Sequence, residues 1–182
     1  MPSFRLISLI VLIAFSTYVL YPLGDIMAFF EKIKAGNLSF FKYKTPTFNS
    51  IDTIYLYMKA LLIGPILEKV LYRKIIFSKI KENHSTMFAL LFSSFLFALV
   101  HLDLENFLQF FLIGILYGYV YYKTDSVICS ILFHSLVNLF IGLTTDFVVS
   151  VGEFYYIYTL AYIFCALGLM YGLKNISASA ID

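Results

Sequence analysis

Residues 107–143 read FLQFFLIGILYGYVYYKTDSVICSILFHSLVNLFIGL. Two apolar runs, Phe107 to Tyr122 and Ser126 to Leu143, flank the polar break Lys123 to Asp125. Each approaches the length of about 20 residues that a helix needs to cross a hydrocarbon core. In lipid the backbone polar groups have to be satisfied within the segment, so helix is the expected form. Gly114 and Gly118 stand four apart in the first run, a spacing that lets helix backbones approach closely. The second run carries His134 and Asn138 one turn apart on one stripe. Such a pair suggests either a polar cavity or a helix-to-helix hydrogen bond.

Four further apolar runs extend the pattern: Leu6 to Leu23, Thr53 to Ile76, Met87 to His101 and Phe154 to Leu173. The Thr53 run is interrupted by Lys59, Glu68, Lys69 and Arg73, and the last run repeats the small-residue spacing at Gly168 and Gly172. Polar breaks at Lys79 to Ser85, Asp103 to Asn106 and Thr144 to Glu153 separate the runs. Asp25 to Ser50 is the one long connection; its apolar start and basic, Gly/Asn/Pro-containing remainder read as an interfacial helix followed by a loop. Met1 to Gly24 has the basic and apolar parts of a signal peptide but no small-x-small cleavage site, so it reads as a retained first helix. The expected fold is all-α: a polytopic membrane helix bundle of about six transmembrane helices. It forms a single domain over 1–182, with a motif-bearing core at about 53–143.

Composition agrees. The chain is 61% apolar and only 13% charged, with a mean hydropathy of +0.87, whereas a soluble domain is roughly half apolar and a quarter charged. Membrane lipid is therefore an expected partner. A formal net charge of +2 points away from nucleic acid. With the N-terminus inside, the cytoplasmic side collects Arg5, Arg73, Lys74, Lys79, Lys81, Lys123 and Lys174, and the outer side Asp103, Glu105, Asp146 and Glu153. Both termini are then cytoplasmic, although Lys32, Lys34, Lys42 and Lys44 fall outside. Cys129 and Cys165 lie in apolar runs and read as packed thiols.

An ionisable group within a span costs roughly 2.5–3.5 kcal/mol on insertion scales, so each needs a reason. Lys69, Arg73 and Lys74 are explained as basic side chains that snorkel to headgroups at the end of their span. Glu68 is not, because its stem is short and anionic lipid offers it nothing. His101 alone reads as an interfacial histidine, and His84 as a solvated loop residue. Together Glu68, His101, His134 and Asn138 place one carboxylate, two imidazoles and one carboxamide on three helices. A carboxylate can act as a general base on water, an imidazole can share that water, and imidazole and amide N–H groups can stabilise an oxyanion. This is equipment for amide hydrolysis. The same ligands could hold zinc, but close ligand pairs such as H-E-x-x-H are absent, so chemistry without a cofactor is the preferred reading. On this assignment His101 lies near the outer end of its span and Glu68 in the inner half, a depth difference of roughly 10 Å at 1.5 Å per residue, unless a break at Gly64-Pro65 removes it.

At these residues the sequence resembles the CPBP family of CAAX proteases and bacteriocin-processing proteins, also called Abi, which includes the type II CAAX prenyl endopeptidases. The family pattern E-E-x-x-x-R, then F-x-x-x-H, then H-x-x-x-N corresponds to Glu68-Lys69-Val70-Leu71-Tyr72-Arg73, Phe97-Ala98-Leu99-Val100-His101 and His134-Ser135-Leu136-Val137-Asn138. The resemblance, which covers about Leu61 to Phe140, implies a glutamate-dependent intramembrane endopeptidase of the bacterial plasma membrane acting on a peptide or membrane-protein substrate. It implies that Glu68 activates water with help from His101, that His134 and Asn138 stabilise the oxyanion, and that Arg73 and Phe97 support the site. The family's second Glu is Lys69 here. On a helix Lys69 would face Arg73, so an attractive pair becomes a repulsive one and Arg73 must find another partner or move toward the headgroups. The alternative is therefore a non-catalytic membrane binding protein, such as a bacteriocin self-immunity factor. A transport or channel subunit is less favoured, because the polar groups form one cluster rather than a stripe.

Overall fold

The computed structural model describes residues 3–20, 51–104, 106–144 and 155–176. Among the described residues there are six helices and no strand. They are α1 (Phe4–Leu20), α2 (51–81), α3 (Thr86–Leu99), α4 (Phe107–Thr124), α5 (Val127–Thr144) and α6 (Tyr155–Asn175). Each covers one of the six apolar runs. The Asp25 to Ser50 connection and its lysines lie outside the described residues, as does most of the Thr144 to Glu153 break. No helix among the described residues is long and apolar enough to cross a membrane. At 1.5 Å per residue, α4 and α5 are about 27 Å long, and α3 is shorter.

Helix ends follow local chemistry. Ser85 caps α3, its hydroxyl accepting the Phe88 N–H at 3.2 Å, as serine does at this position. The polar break at Lys79 starts later than its composition indicates: α2 runs on to Lys81, and Lys79 bonds Glu82 at 2.6 Å on its exposed side. Asp125 ends α4 in the left-handed region at φ 48°, which Asp tolerates better than most residues. Leu102, at φ 52° directly after His101, has no such excuse. A left-handed non-glycine residue costs about 1–2 kcal/mol.

The core joins α1, α2, α3, α4 and α5 through Ile10, Ile13, Tyr72, Phe97, Tyr117, Val120, Phe133 and Val137. Small residues set the close approaches. A Cβ on Gly114 would fall 3.1 Å from the Phe97 ring and 3.2 Å from Ser94 of α3, and one on Gly168 would fall 3.0 Å from Ser16 Oγ of α1. Thus α3 packs on α4 and α1 on α6. The outward faces are apolar as well: Ile7, Val11 and Phe15 of α1, Leu91, Phe92 and Phe95 of α3, and Leu160, Phe164 and Leu167 of α6 are all exposed. Cys129 and Cys165 are free thiols on different helices.

Candidate active site

The site begins with Pro65. In a regular helix its N–H would bond the Leu61 carbonyl, and proline has none. Just before it the backbone widens into a π-type turn at Lys59–Ile63, and the Gly64 N–H reaches back five residues to the Lys59 carbonyl. The Ala60 and Leu61 carbonyls thereby lose their α-helical donors. Two side chains of α5 replace them: Asn138 Nδ2 donates to Ala60 at 2.8 Å and Ser135 Oγ to Leu61 at 2.7 Å. These two bonds, made where the wide turn and the proline take away the helical donors, tie α2 to α5. Widened turns of this kind occur often at functional sites.

The clamp also settles side-chain chemistry. A carbonyl only accepts, so the atom facing Ala60 must be the Asn138 nitrogen. Its second N–H points to His134 Nε2 at 3.0 Å. A neutral His134 accepting there carries its proton on Nδ1, and Nδ1 lies 3.4 Å from Glu68 Oε2. His101 is held differently. Its Nδ1 bonds the Phe97 carbonyl at 2.7 Å, its ring stacks on Phe110 at 4.1 Å, and Phe97 meets it edge-on at 4.7 Å. Because the carbonyl accepts, Nδ1 is the protonated nitrogen, and the lone pair of a neutral His101 is on Nε2.

The cations are not at the headgroups, and the snorkelling reading of Lys69 and Arg73 is corrected here: both are fully buried. Each has found interior partners that a single helix cannot display. Lys69 donates to Glu68 Oε2 at 3.3 Å, and its ammonium lies 3.9 Å from the Tyr117 ring centroid and 4.5 Å from that of Phe97. Arg73 donates to Ser93 Oγ of α3 at 2.9 Å and to the Gly114 carbonyl of α4 at 2.8 Å. Gly118 gives it room, since a Cβ there would fall 3.0 Å from Arg73 Nη1. Lys74, by contrast, is exposed, and so is His84.

Glu68, His101, His134 and Asn138 line one cavity of about 340 Å³, together with Phe97 and Lys59. The anticipated depth difference does not keep Glu68 and His101 apart: both line this cavity. Arg73 stands behind the wall. Lys69 and His134 both approach Glu68 Oε2, while Oε1 lies toward Gly64, 3.9 Å from where a Cβ would stand. Tyr117, whose ring lies 4.6 Å from that of His134 at a tilt of 33° and covers Lys69, and Ser135 were not anticipated from sequence. Tyr117 carries no signal in an aromatic-rich run. Ser135 does, being a hydroxyl beside His134 on an apolar helix opposite a helix that contains proline. Among the described residues no three His, Cys, Asp or Glu side chains converge to hold a metal ion.

Comparison with known proteins bears on this arrangement. The chain is 36% identical over 80 residues to a Bacillus subtilis (strain 168) protein named as a membrane peptidase, YdiL, an alignment covering 44% of this chain and 33% of the relative. It is 35% identical over 86 residues to the membrane-embedded CAAX protease MroQ of Staphylococcus aureus (strain USA300), covering 44% of this chain and 35% of the relative. The chain thus spans about a third of the length of these curated relatives. No solved structure matches it significantly. Residues 50–140 match the family described as type II CAAX prenyl endopeptidase Rce1-like, a stretch that contains all three motifs and every cavity residue named above. The chain belongs to the Rce1-like type II CAAX prenyl endopeptidase family.

Proposed function

We propose that the protein is an integral membrane endopeptidase that cleaves a peptide bond with a water activated by Glu68 and His101. The observation that carries this reading is the convergence of Glu68, His101, His134 and Asn138 on one cavity, with Glu68 Oε2 tied to Lys69 and Oε1 left over. Glu68 Oε1 takes a proton from water while His101 Nε2 accepts the other O–H in a hydrogen bond. The hydroxide forms a bond to the carbonyl carbon. The C–N bond then breaks as the proton on Glu68 passes to the leaving nitrogen. The proposed oxyanion donors are Asn138 and the Nδ1–H of His134, which reaches the oxyanion only by turning away from Glu68 Oε2. Both N–H groups of Asn138 are engaged, so Asn138 meets the oxyanion only by releasing Ala60 or His134. No metal or other cofactor enters this scheme.

The exposed aliphatic and aromatic faces of α1, α3 and α6 support a place in lipid, in the bacterial plasma membrane. The proposed topology has six spans and both termini cytoplasmic. The family's prenylated-protein processing, or maturation of an unprenylated peptide or membrane protein, is the proposed substrate class; nucleic acid is not a partner. One observation favours a second reading. Lys69, in place of the family's Glu, sits 3.3 Å from the proposed base and can pin it, leaving a bacteriocin-immunity type of binder that does not cut.

The test is the full chain in liposomes with a panel of quenched fluorescent peptides, prenylated and unprenylated, whose products are identified by mass spectrometry. Cleavage by the wild type and none by Glu68→Gln is the expected result. A panel left uncut by folded wild type, with a cellular phenotype that persists in Glu68→Gln at matched expression, selects the binder.

A further inference from the structure

Hydrolysis takes up Glu68, His101, His134 and Asn138 and leaves one charged group of the cavity wall unused. Lys59 lines the same cavity, nine residues before Glu68 on α2. Its backbone is held rigidly: the Lys59 carbonyl accepts the Gly64 N–H across the wide turn, and the next two carbonyls are clamped by Asn138 and Ser135. None of the described carboxylates pairs with its ammonium. Glu68 is already bonded to Lys69 and adjacent to His134 through the same oxygen. Lys59 is exposed, so its ammonium is available to an anion that enters the cavity as well as to water or headgroups.

We infer that Lys59 is a carboxylate-reading subsite of the cavity, which binds a peptide acid group carried either by the free C-terminus or by an Asp or Glu side chain. Nine helical residues separate the Lys59 and Glu68 backbones by about 13 Å. An extended peptide covers that in about four residues at roughly 3.3 Å each, and the flexible lysine stem adjusts the span by a residue or two either way. The acid group is therefore placed about two to six residues from the carbonyl over Glu68. Lysine suits the task because it is a point charge on a mobile stem, which tolerates more than one carboxylate geometry. The inference rests on the cavity holding a peptide, and holds equally for a peptide that is bound without being cut.

The experiment uses the full chain carrying Glu68→Gln in nanodiscs of uncharged phosphatidylcholine, so that binding is read without turnover. The probes are four fluorescent peptides of one apolar sequence: a C-terminal acid, the C-terminal amide, the amide with one internal Gln replaced by Glu, and the amide with that Gln replaced by Lys. At least one acid probe should bind about tenfold more tightly than the neutral amide, as one charge-assisted hydrogen bond allows. The acid that is preferred identifies the source of the carboxylate. Lys59→Met should bring the acid-to-amide ratio to one, Lys59→Arg should keep the preference, and Lys59→Glu should reverse it in favour of a peptide with Lys at the same position. Three results overturn the inference: no preference for acid in the parent, a preference that survives Lys59→Met, or no binding by any probe. A parallel loss of acid and amide binding in Lys59→Met with the ratio intact would assign Lys59 to lipid headgroups instead.

Discussion

Replacing Lys69 with Met removes a charge and keeps most of the volume, so packing should suffer by less than about 1.5 kcal/mol. Two ring contacts, at 3.9 and 4.5 Å, disappear, each worth about 0.5–2 kcal/mol. The ion pair with Glu68 also disappears. Breaking a fully buried pair costs about 3–5 kcal/mol, but Glu68 is 28% exposed, and water reaching it offsets part of that. A net loss of about 2–3 kcal/mol in folding stability is expected, measurable by unfolding in detergent. The effect on catalysis is separable. Lys69 is one of two groups that hold Oε2, and a hydrogen bond to a charged group is worth about 1.5–3 kcal/mol. Losing it should lower kcat by roughly 10- to 100-fold, with KM little changed because Lys69 is buried behind the cavity. The assay is steady-state cleavage in liposomes by protein shown to be folded. An unchanged kcat would refute the view that Lys69 orients the base, and an increased kcat would show that it restrains Glu68 instead.

Arg73→Leu should destabilise the protein by about 2–4 kcal/mol, since it strips the buried Ser93 hydroxyl and Gly114 carbonyl of a charged donor; thermal unfolding checks this, and a shift within error would contradict it. Gly118→Ala should cost about 1–3 kcal/mol by overpacking, because its Cβ would press on the end of Leu90 and on Arg73 Nη1; unchanged thermal unfolding would contradict it. Asn138→Leu should cost more stability than Ser135→Ala, because it abandons both the Ala60 carbonyl and His134 Nε2; equal losses would mean that the contact with His134 adds nothing.

The six helices were legible because each is an apolar run bounded by polar residues, and a close approach to α4 was legible in Gly114 and Gly118, although which helix makes it was not. That Glu68, His101, His134 and Asn138 would meet at one cavity was legible because three short patterns occur in order, each on its own helix. What could not be read depends on contacts between helices. The sequence around Lys69 and Arg73 looks like the basic end of a span, and only the meeting of α2 with Ser93, Phe97, Gly114 and Tyr117 makes an interior place for two cations. Pro65 announces a broken hydrogen bond, but that Ser135 and Asn138 supply the replacement donors depends on how α5 lies against α2. The same clamp engages Asn138 more fully than a role at the oxyanion alone requires.

The central claim is that Glu68 and His101 act on one water as a unit, and a double-mutant cycle on kcat/KM tests it most directly. Wild type, Glu68→Gln, His101→Ala and the double variant would be compared in liposomes against the same cleaved peptide, at matched folding. Groups that work as a unit lose their effect together, so each single variant should fall by at least about 100-fold and the double variant should fall no further than the worse single. Losses that multiply, or a Glu68→Gln variant that still cleaves at the wild-type rate, would contradict it.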